Sequence, residues 1–438
     1  MKEIIKKFIP SFLLSWYHFM LVFLGAVLYR FPSKEIKVIG IAGTDGKSTV
    51  VNLTTKILEK AGYKVAAISS IKFKIGEKEW PNTLKMTMPG RFKIQKFLRE
   101  AVKAKCQYAV LEVTDEGIKQ HRHRFINFQV AVLTNITPEH IEAHGSFEKM
   151  RQMNGRLFQT TKGVHIINLD DENAEYFLQF PAKEKYGYKI KNQKSKIKNQ
   201  KLKILEAEEV KIKTKGIKFE VQQIVFLLSL LGRFNIYNAL AGICVGLSQG
   251  IELEIAKRAL EKIKKIPGRM EKVIEKPFKV IVDYAHTPDA LEKVYQNLSS
   301  FKNSRSKLIC VLGSAGGGRD RWKRKEFGKI ASNYCSEIIL TNEDPYDEDP
   351  KQILSMIKSG IFKSQFPISN LYEILDRREA IGKALGLARP GDIVIITGKG
   401  AEPWMCVKGG KKIPWDDRQI VQQEFKKIQE MQSRILPN

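Results

Sequence analysis

Gly43-Thr44-Asp45-Gly46-Lys47-Ser48-Thr49 follows the apolar run Val38–Ala42 and precedes a helical pattern over Thr49–Ala61. Gly43 and Gly46 allow a tight turn whose backbone N–H groups can approach a phosphate. Lys47 adds a point charge for terminal phosphates, and Ser48 offers a hydroxyl to a phosphate-bound Mg²⁺. Two residues separate these glycines, where the usual phosphate loop has four. An ordinary glycine-rich strand-to-helix turn is the plain alternative. Glu112 closes the strand-like run Tyr108–Val113 and could complete a Mg²⁺ shell with that hydroxyl, or be a solvated acid. Glu139, His140, Glu142 and His144 crowd into the segment Thr134–Gly145 after the next run, a better site candidate than any lone histidine.

These groups need a scaffold, and the apolar runs supply one. Val38–Ala42, Val65–Ser69, Tyr108–Val113, Val130–Leu133 and His165–Leu169 alternate with helical patterns such as Lys93–Ala104. That alternation predicts an α/β fold with a parallel sheet covered on both faces. Gly232–Gly250 reads as a helix, and Ile266-Pro267-Gly268-Arg269 breaks the pattern. A second series, Val280–Tyr284, Leu308–Leu312, Ile338–Thr341 and Ile393–Thr397, alternates with helices over Asp289–Leu298 and Arg324–Asn333. Asp283, Gly313, Asn342 and Lys399 stand at its strand ends, where open α/β sheets bind ligands. The expected division is an apolar helical segment over 1–35, a central phosphate-loop domain over 36–265 and a smaller Rossmann-like domain over 266–438.

The chain has 438 residues and a formal net charge of +28. Much of that charge lies in 183–218, where a near-exact repeat (Lys189–Gln193, Lys196–Gln200) predicts an inserted solvated loop or extended hairpin. Aromatic residues do not interleave with these lysines, so no nucleic-acid partner is expected. Five scattered cysteines without a C-x-x-C pair imply a reducing compartment and argue against structural zinc. Phe8–Tyr29 carries no Lys, Arg, Asp or Glu. It is either a membrane-associated helix, with surface contact through residues 8–31, or a helix packed on the protein. The nucleotide site should in either case face the cytoplasm.

Further motifs line up along the chain: Glu112–Arg122, Thr134–Gly145, Gly232–Asn238, Pro267–Glu271, Val282–Leu291, Gly316–Arg324, Glu343-Asp344-Pro345 and Gly398–Glu402. In this order they resemble the Mur ligase family, and within it the enzymes that add the third amino acid to the peptidoglycan stem peptide. The resemblance implies ATP and Mg²⁺, an acyl-phosphate formed on a UDP-MurNAc-peptide, and attack by a free amino acid on a monomeric enzyme. It implies that Gly43, Thr44, Asp45, Gly46, Lys47, Ser48 and Thr49 hold the triphosphate, with Ser48, Glu112 and His140 as metal ligands. Lys47, Glu112 and His140 are then the catalytic groups. By the same resemblance Asn238, Arg269, Asp283 and His286 bind nucleotide, and Thr114, Gln120 and Arg122 hold the muramyl peptide. Arg324, Asp344, Tyr346, Gly398 and Glu402 receive the amino acid.

The chain departs from the family's pattern in three places. About 35 residues precede the first strand, where the family has a uridine-nucleotide-binding domain. Asn154 stands where the family carries a carbamylated lysine. Tyr346 replaces the arginine of the DNPR motif of diaminopimelate-adding enzymes, and the extra carboxylate of Asp344 favours lysine or another diamine. A ligase for a lipid-linked precursor, a folylpolyglutamate-synthase-type ligase and a non-catalytic nucleotide-binding scaffold are the competing readings.

Overall fold

A computed structural model describes residues 10–84, 86–191, 202–301, 306–361 and 370–435. The larger sheet is built from β1 (Lys37–Ala42), β2 (Val65–Ile68), β3 (Lys72–Ile75), β4 (Lys78–Pro81), β5 (Tyr108–Glu112), β6 (Phe128–Leu133), β7 (Val164–Asn168), β8 (Glu184–Ile190), β9 (Lys203–Lys213), β10 (Gly216–Val221) and β11 (Ile224–Leu228). Its order is β11-β10-β9-β8-β7-β6-β1-β5-β2-β3-β4. From β9 to β2 every pairing is parallel, and antiparallel hairpins finish both edges. The parallel strands are continuous apolar runs because helices cover both faces. The first strand, β1, sits in the middle, so the loop after it opens at the centre of the sheet's carboxyl edge.

The helix Lys47–Lys60 lies against the helix Phe234–Ser248. Gly242 and Gly246 face Leu53 and Ile57, where added β-carbons would stand 3.4 and 3.0 Å from Ile57. Small residues therefore let the two helices approach closely. The second sheet holds β12 (Glu271–Ile274), β13 (Lys279–Val282), β14 (Leu308–Leu312), β15 (Glu337–Leu340), β16 (Leu371–Glu373) and β17 (Ile393–Ile396), in the order β12-β13-β17-β14-β15-β16. Only the β12 edge is antiparallel. Arg377 and Asp417 are both fully buried and pair through two nitrogens at 2.9 and 2.7 Å, fixing the C-terminal helix Asp417–Ile435 against this sheet.

Two expectations change. The lysine-rich stretch is not an appendage: Glu184–Ile190 and Lys203–Lys213 enter the sheet as parallel strands, and Gly216–Val221 follows. Alternation is the cause. Tyr186, Tyr188, Ile190, Leu205 and Ala207 point into the core. The charges face outward and pair across strands, Lys189 with Glu206, Lys191 with Glu208 and Lys203 with Glu184, each at 3.0 Å. The repeat itself lies mostly outside the described residues. Cys310 and Cys335 form a disulfide between β14 and the end of the helix Trp322–Tyr334, against the reduced state expected for all five cysteines. For the N-terminal segment, one of the two readings left open is observed: Ser11–Leu28 is a helix laid on the helix Arg91–Lys103. Among the described residues no helix is long and apolar enough to cross a membrane.

Candidate active site

The turn after β1 is clasped by the segment after β6. Thr44 donates its N–H to the Asn135 carbonyl at 2.9 Å, and the Asn135 side chain bonds both the N–H and the carbonyl of Asp45 at 3.0 Å. Gly43 has φ +134°, and a β-carbon there would meet the Thr134 hydroxyl at 2.2 Å. Gly46 has φ +82°, and its β-carbon would meet Asn238 Oδ1 at 2.4 Å. Neither position admits a side chain. Lys47 folds its Nζ over the turn, donating to the carbonyls of Gly43 (2.7 Å) and Thr44 (2.6 Å). With Thr44 and Asp45 N–H engaged by Asn135, the first turn of the helix Lys47–Lys60 presents its backbone N–H groups at a helix N-terminus, with the Lys47 ammonium poised above.

Ser48 Oγ donates to Glu112 Oε2 at 2.6 Å, and Ser70 N–H bonds the same oxygen at 2.9 Å. A hydroxyl and a carboxylate at this spacing beside a phosphate loop form an all-oxygen donor set, which suits Mg²⁺. Ser70 Oγ in turn accepts from Arg269 at 3.2 Å, linking the two sheets. His140 Nδ1 lies 3.0 Å from Asp115 Oδ2, and His144 Nε2 lies 2.7 Å from the same oxygen. These are the three metal-capable side chains that converge among the described residues. Burial alone would raise the Asp115 carboxyl, but hydrogen bonds to the two imidazoles outweigh it and hold Asp115 well below the usual carboxylate range. The same bond, against burial, raises His140. A carboxylate on Nδ1 orients the other ring nitrogen outward, as behind metal-bound histidines.

The second sheet contributes the opposite wall. Arg269 stacks 4.4 Å from the Tyr284 ring centroid. Asp283 accepts the N–H groups of Met270 (2.6 Å) and Ala285 (2.7 Å), and burial raises its carboxyl. His286 Nε2 meets Glu139 Oε1 at 3.1 Å. Asp320 spans the cleft, accepting the N–H groups of Ile141 and Glu142 at 3.1 Å each. Arg319 reaches His140 Nε2 at 3.2 Å. Farther along, Lys399 Nζ bonds Asp344 at 2.9 Å and Glu402 at 2.5 Å, and Cys406 N–H also donates to Asp344 at 2.7 Å. Lys399 is thus shared between two carboxylates, so the cluster of Asp344, Lys399 and Glu402 keeps a net negative charge.

A cavity of about 1000 Å³ runs between the two sheets. It is lined by every residue given a role by the family resemblance except Arg324; of the Glu139–His144 cluster, Glu139 and His140 line it and Glu142 and His144 do not. Arg324 is buried behind the wall and held by Glu348 (3.0 Å) and the Ala315 carbonyl (3.2 Å). Other expected contacts line the cavity but are internally engaged. Thr114 caps the helix Asp115–Lys119, while Gln120 accepts from Arg122 at 2.6 Å. Asn154 lines the cavity nine-tenths buried, with Nδ2 on the Met150 carbonyl and Oδ1 unpartnered. Sequence reasoning missed Asp115, Arg319 and Asp320. Asp115 stood one residue beyond Thr114, beside a strand end, and could have been found. The other two matter only through contacts across the cleft.

The family model for the Mur ligase middle domain matches residues 41–246, and that for the Mur ligase glutamate ligase domain matches 268–400. The chain belongs to the Mur ligase family. Among the family's members, the UDP-N-acetylmuramoyl-L-alanyl-D-glutamate–2,6-diaminopimelate ligase of Syntrophomonas wolfei is 37% identical over 412 residues, covering 91% of this chain and 80% of that protein. The UDP-N-acetylmuramyl-tripeptide synthetase of a Roseiflexus species is 34% identical, covering 90% and 79%. Among solved structures, a diaminopimelate ligase of this Mur type is 29% identical with a TM-score of 0.58, covering 90% and 79%. Folylpolyglutamate synthase from Mycobacterium tuberculosis, in complex with ADP and AMPPCP, shares the fold at 17% identity, with a TM-score of 0.67 covering 86% and 92%. The α/β architecture expected from the sequence is that of these Mur ligases.

Proposed function

We propose that this Mur ligase is an ATP-dependent amide-bond ligase that joins an amino acid to a UDP-MurNAc-dipeptide in peptidoglycan synthesis. Support comes chiefly from the two ends of the cavity. One carries the phosphate turn with the Ser48–Glu112 pair, and the other carries the Asp344–Lys399–Glu402 cluster. A nucleotide and an amine bound at these ends converge on one point between the sheets. That several relatives are named as diaminopimelate ligases supports diaminopimelate as the amino acid.

In this reading Gly43–Thr49 and Lys47 grip the triphosphate, and Asn238, Arg269, Asp283 and His286 embrace the rest of the nucleotide. Mg²⁺ would be held by Ser48, Glu112 and His140 Nε2, and its charge would offset that developing on the transferred phosphoryl group. Thr114, Gln120 and Arg122 position the acceptor carboxylate for in-line attack on the γ-phosphoryl group. Transfer depends on this alignment and on charge neutralisation by Lys47. The amine then attacks the acyl-phosphate carbonyl, phosphate leaves, and the amine proton passes to a nearby acceptor such as the exposed side of Glu402. Asp320, bonded to the Ile141 and Glu142 N–H groups, holds the two walls together and keeps water from the acyl-phosphate. The enzyme acts as a monomer on the cytoplasmic side, where ATP is.

The test is phosphate release from ATP with Mg²⁺ and UDP-MurNAc-L-Ala-D-Glu, adding meso-diaminopimelate, lysine or ornithine in turn, with products identified by mass spectrometry. A tripeptide with diaminopimelate, abolished by Lys47→Ala, is expected. Nucleotide binding without product for any amino acid would refute the reading.

A further inference from the structure

The helix Ser11–Leu28 is apolar on two sides, and only one of them is used. Its inner side packs on the protein. Val22 and Ala26 are buried, Phe19 and Phe23 meet Phe125, Ser15 bonds His121 at 2.7 Å, and His18 bonds Arg91. The outer side carries Leu13, Trp16, Tyr17, Leu24, Val27 and Leu28, spaced so that all fall on one stripe. Trp16 and Leu28 are each 64% exposed. Phe92, on the neighbouring helix, extends the patch. A continuous stripe of this size has no role in the fold of a water-exposed surface.

We infer that this face docks on an anionic bilayer surface, with the helix lying in the interface rather than crossing it. Charge complementarity identifies the occupant. Arg30 and Lys34 just beyond the helix, Lys93 on the helix it packs against and Arg124 beside Phe125 are exposed. The neighbouring acids Glu35 and Glu100 are already paired, with Arg99 at 2.7 Å and Lys96 at 3.7 Å. An apolar strip rimmed by cations, with a Trp and a Tyr along it, is the pattern of an interfacial helix attracted to acidic headgroups. A second copy of the chain would bring the same cations face to face. Among the described residues the helix is not long and apolar enough to cross a membrane. The inner side contacts His121 and Arg91, and Arg91 bonds Gln120 at 3.3 Å, so the docked face lies behind the acceptor end of the cavity. This last point rests on the functional reading above; the docking does not.

The test is co-sedimentation of the full chain with phosphatidylcholine vesicles and with vesicles containing about one-third phosphatidylglycerol. The double variant Trp16→Ser/Leu24→Ser is compared at equal melting temperature, since neither side chain supports the fold. Binding to the acidic vesicles only, weakened at least tenfold in the variant and by high salt, is the expected result. Equal binding by variant and wild type, or no binding to either vesicle, overturns the inference. So does a concentration-dependent dimer in vesicle-free buffer that the variant abolishes. Ligase activity on the soluble acceptor is read separately and fails or succeeds independently.

Discussion

Replacing Asp45 by Asn should stabilise the protein, and only in one pH range. Burial first, and the nearby Glu139 carboxylate second, raise the Asp45 carboxyl from 3.8 to about 6. Each tenfold weakening of an acid is worth about 1.4 kcal/mol, so the ionised group costs the folded state about 3 kcal/mol at most. The side chain is partly open to the cavity, and solvent screening reduces this to about 1–2 kcal/mol. The sign follows from the raised acid. The favourable protonated form is fully present below 3.8, and its contribution is lost as pH rises through about 6. Asn removes the charge and keeps an oxygen for the Thr287 hydroxyl, which donates to Asp45 at 3.1 Å. The variant should therefore melt about 3–6 °C above wild type at pH 8, with a much smaller difference at pH 4.5. ADP should also bind more tightly at pH 8, because a negative group leaves the phosphate turn. Differential scanning fluorimetry across pH 4–8 measures the first effect. A gain independent of pH, or a loss at pH 8, would refute the reasoning.

Other perturbations have equally definite outcomes. Asp320→Ala removes two charge-assisted bonds across the cleft, each about 1.5–3 kcal/mol, and should lower kcat ten- to a hundredfold. Its dissociation constant for ATP, read by titration, should barely move. Arg377→Met leaves Asp417 buried without its partner and should cost about 3–5 kcal/mol in urea unfolding, with Arg377→Met/Asp417→Leu recovering most of it. Tyr346→Arg gives a distal carboxylate a bidentate partner and should lower KM for meso-diaminopimelate about tenfold, with little change for lysine, in steady-state kinetics. Glu112→Gln should abolish turnover and weaken Mg²⁺ dependence while leaving the melting temperature close to wild type.

The central parallel strands were legible because strands covered on both faces must be apolar throughout. The phosphate turn was legible because Gly43 and Gly46 answer to a backbone need. The strands β8 to β10 were hidden by composition: lysines on the outer face masked the alternation of Tyr186, Tyr188 and Ile190 beneath. Arg324 illustrates a different limit. Its position in a motif named it, but its burial behind Glu348 follows from tertiary packing alone. The bond between Cys310 and Cys335 and the grip of Asp320 on Ile141 and Glu142 join segments whose separation carries no local signal.

The close pairing of the helices Lys47–Lys60 and Phe234–Ser248 has a mechanical consequence. The phosphate turn and Asn238 ride on one stiff body, and the chain leaves it only beyond the helix Leu253–Leu260. Swinging of the second sheet must then be absorbed within 262–270, which ends at Gly268 and Met270, both with positive φ. Gly268 presses on the turn at Gly400 and Ala401, where a β-carbon would meet the Ala401 nitrogen at 2.2 Å. A pivot there moves the amine end of the cavity and leaves the triphosphate grip undisturbed. In the function proposed above, nucleotide then stays seated while the other substrates exchange.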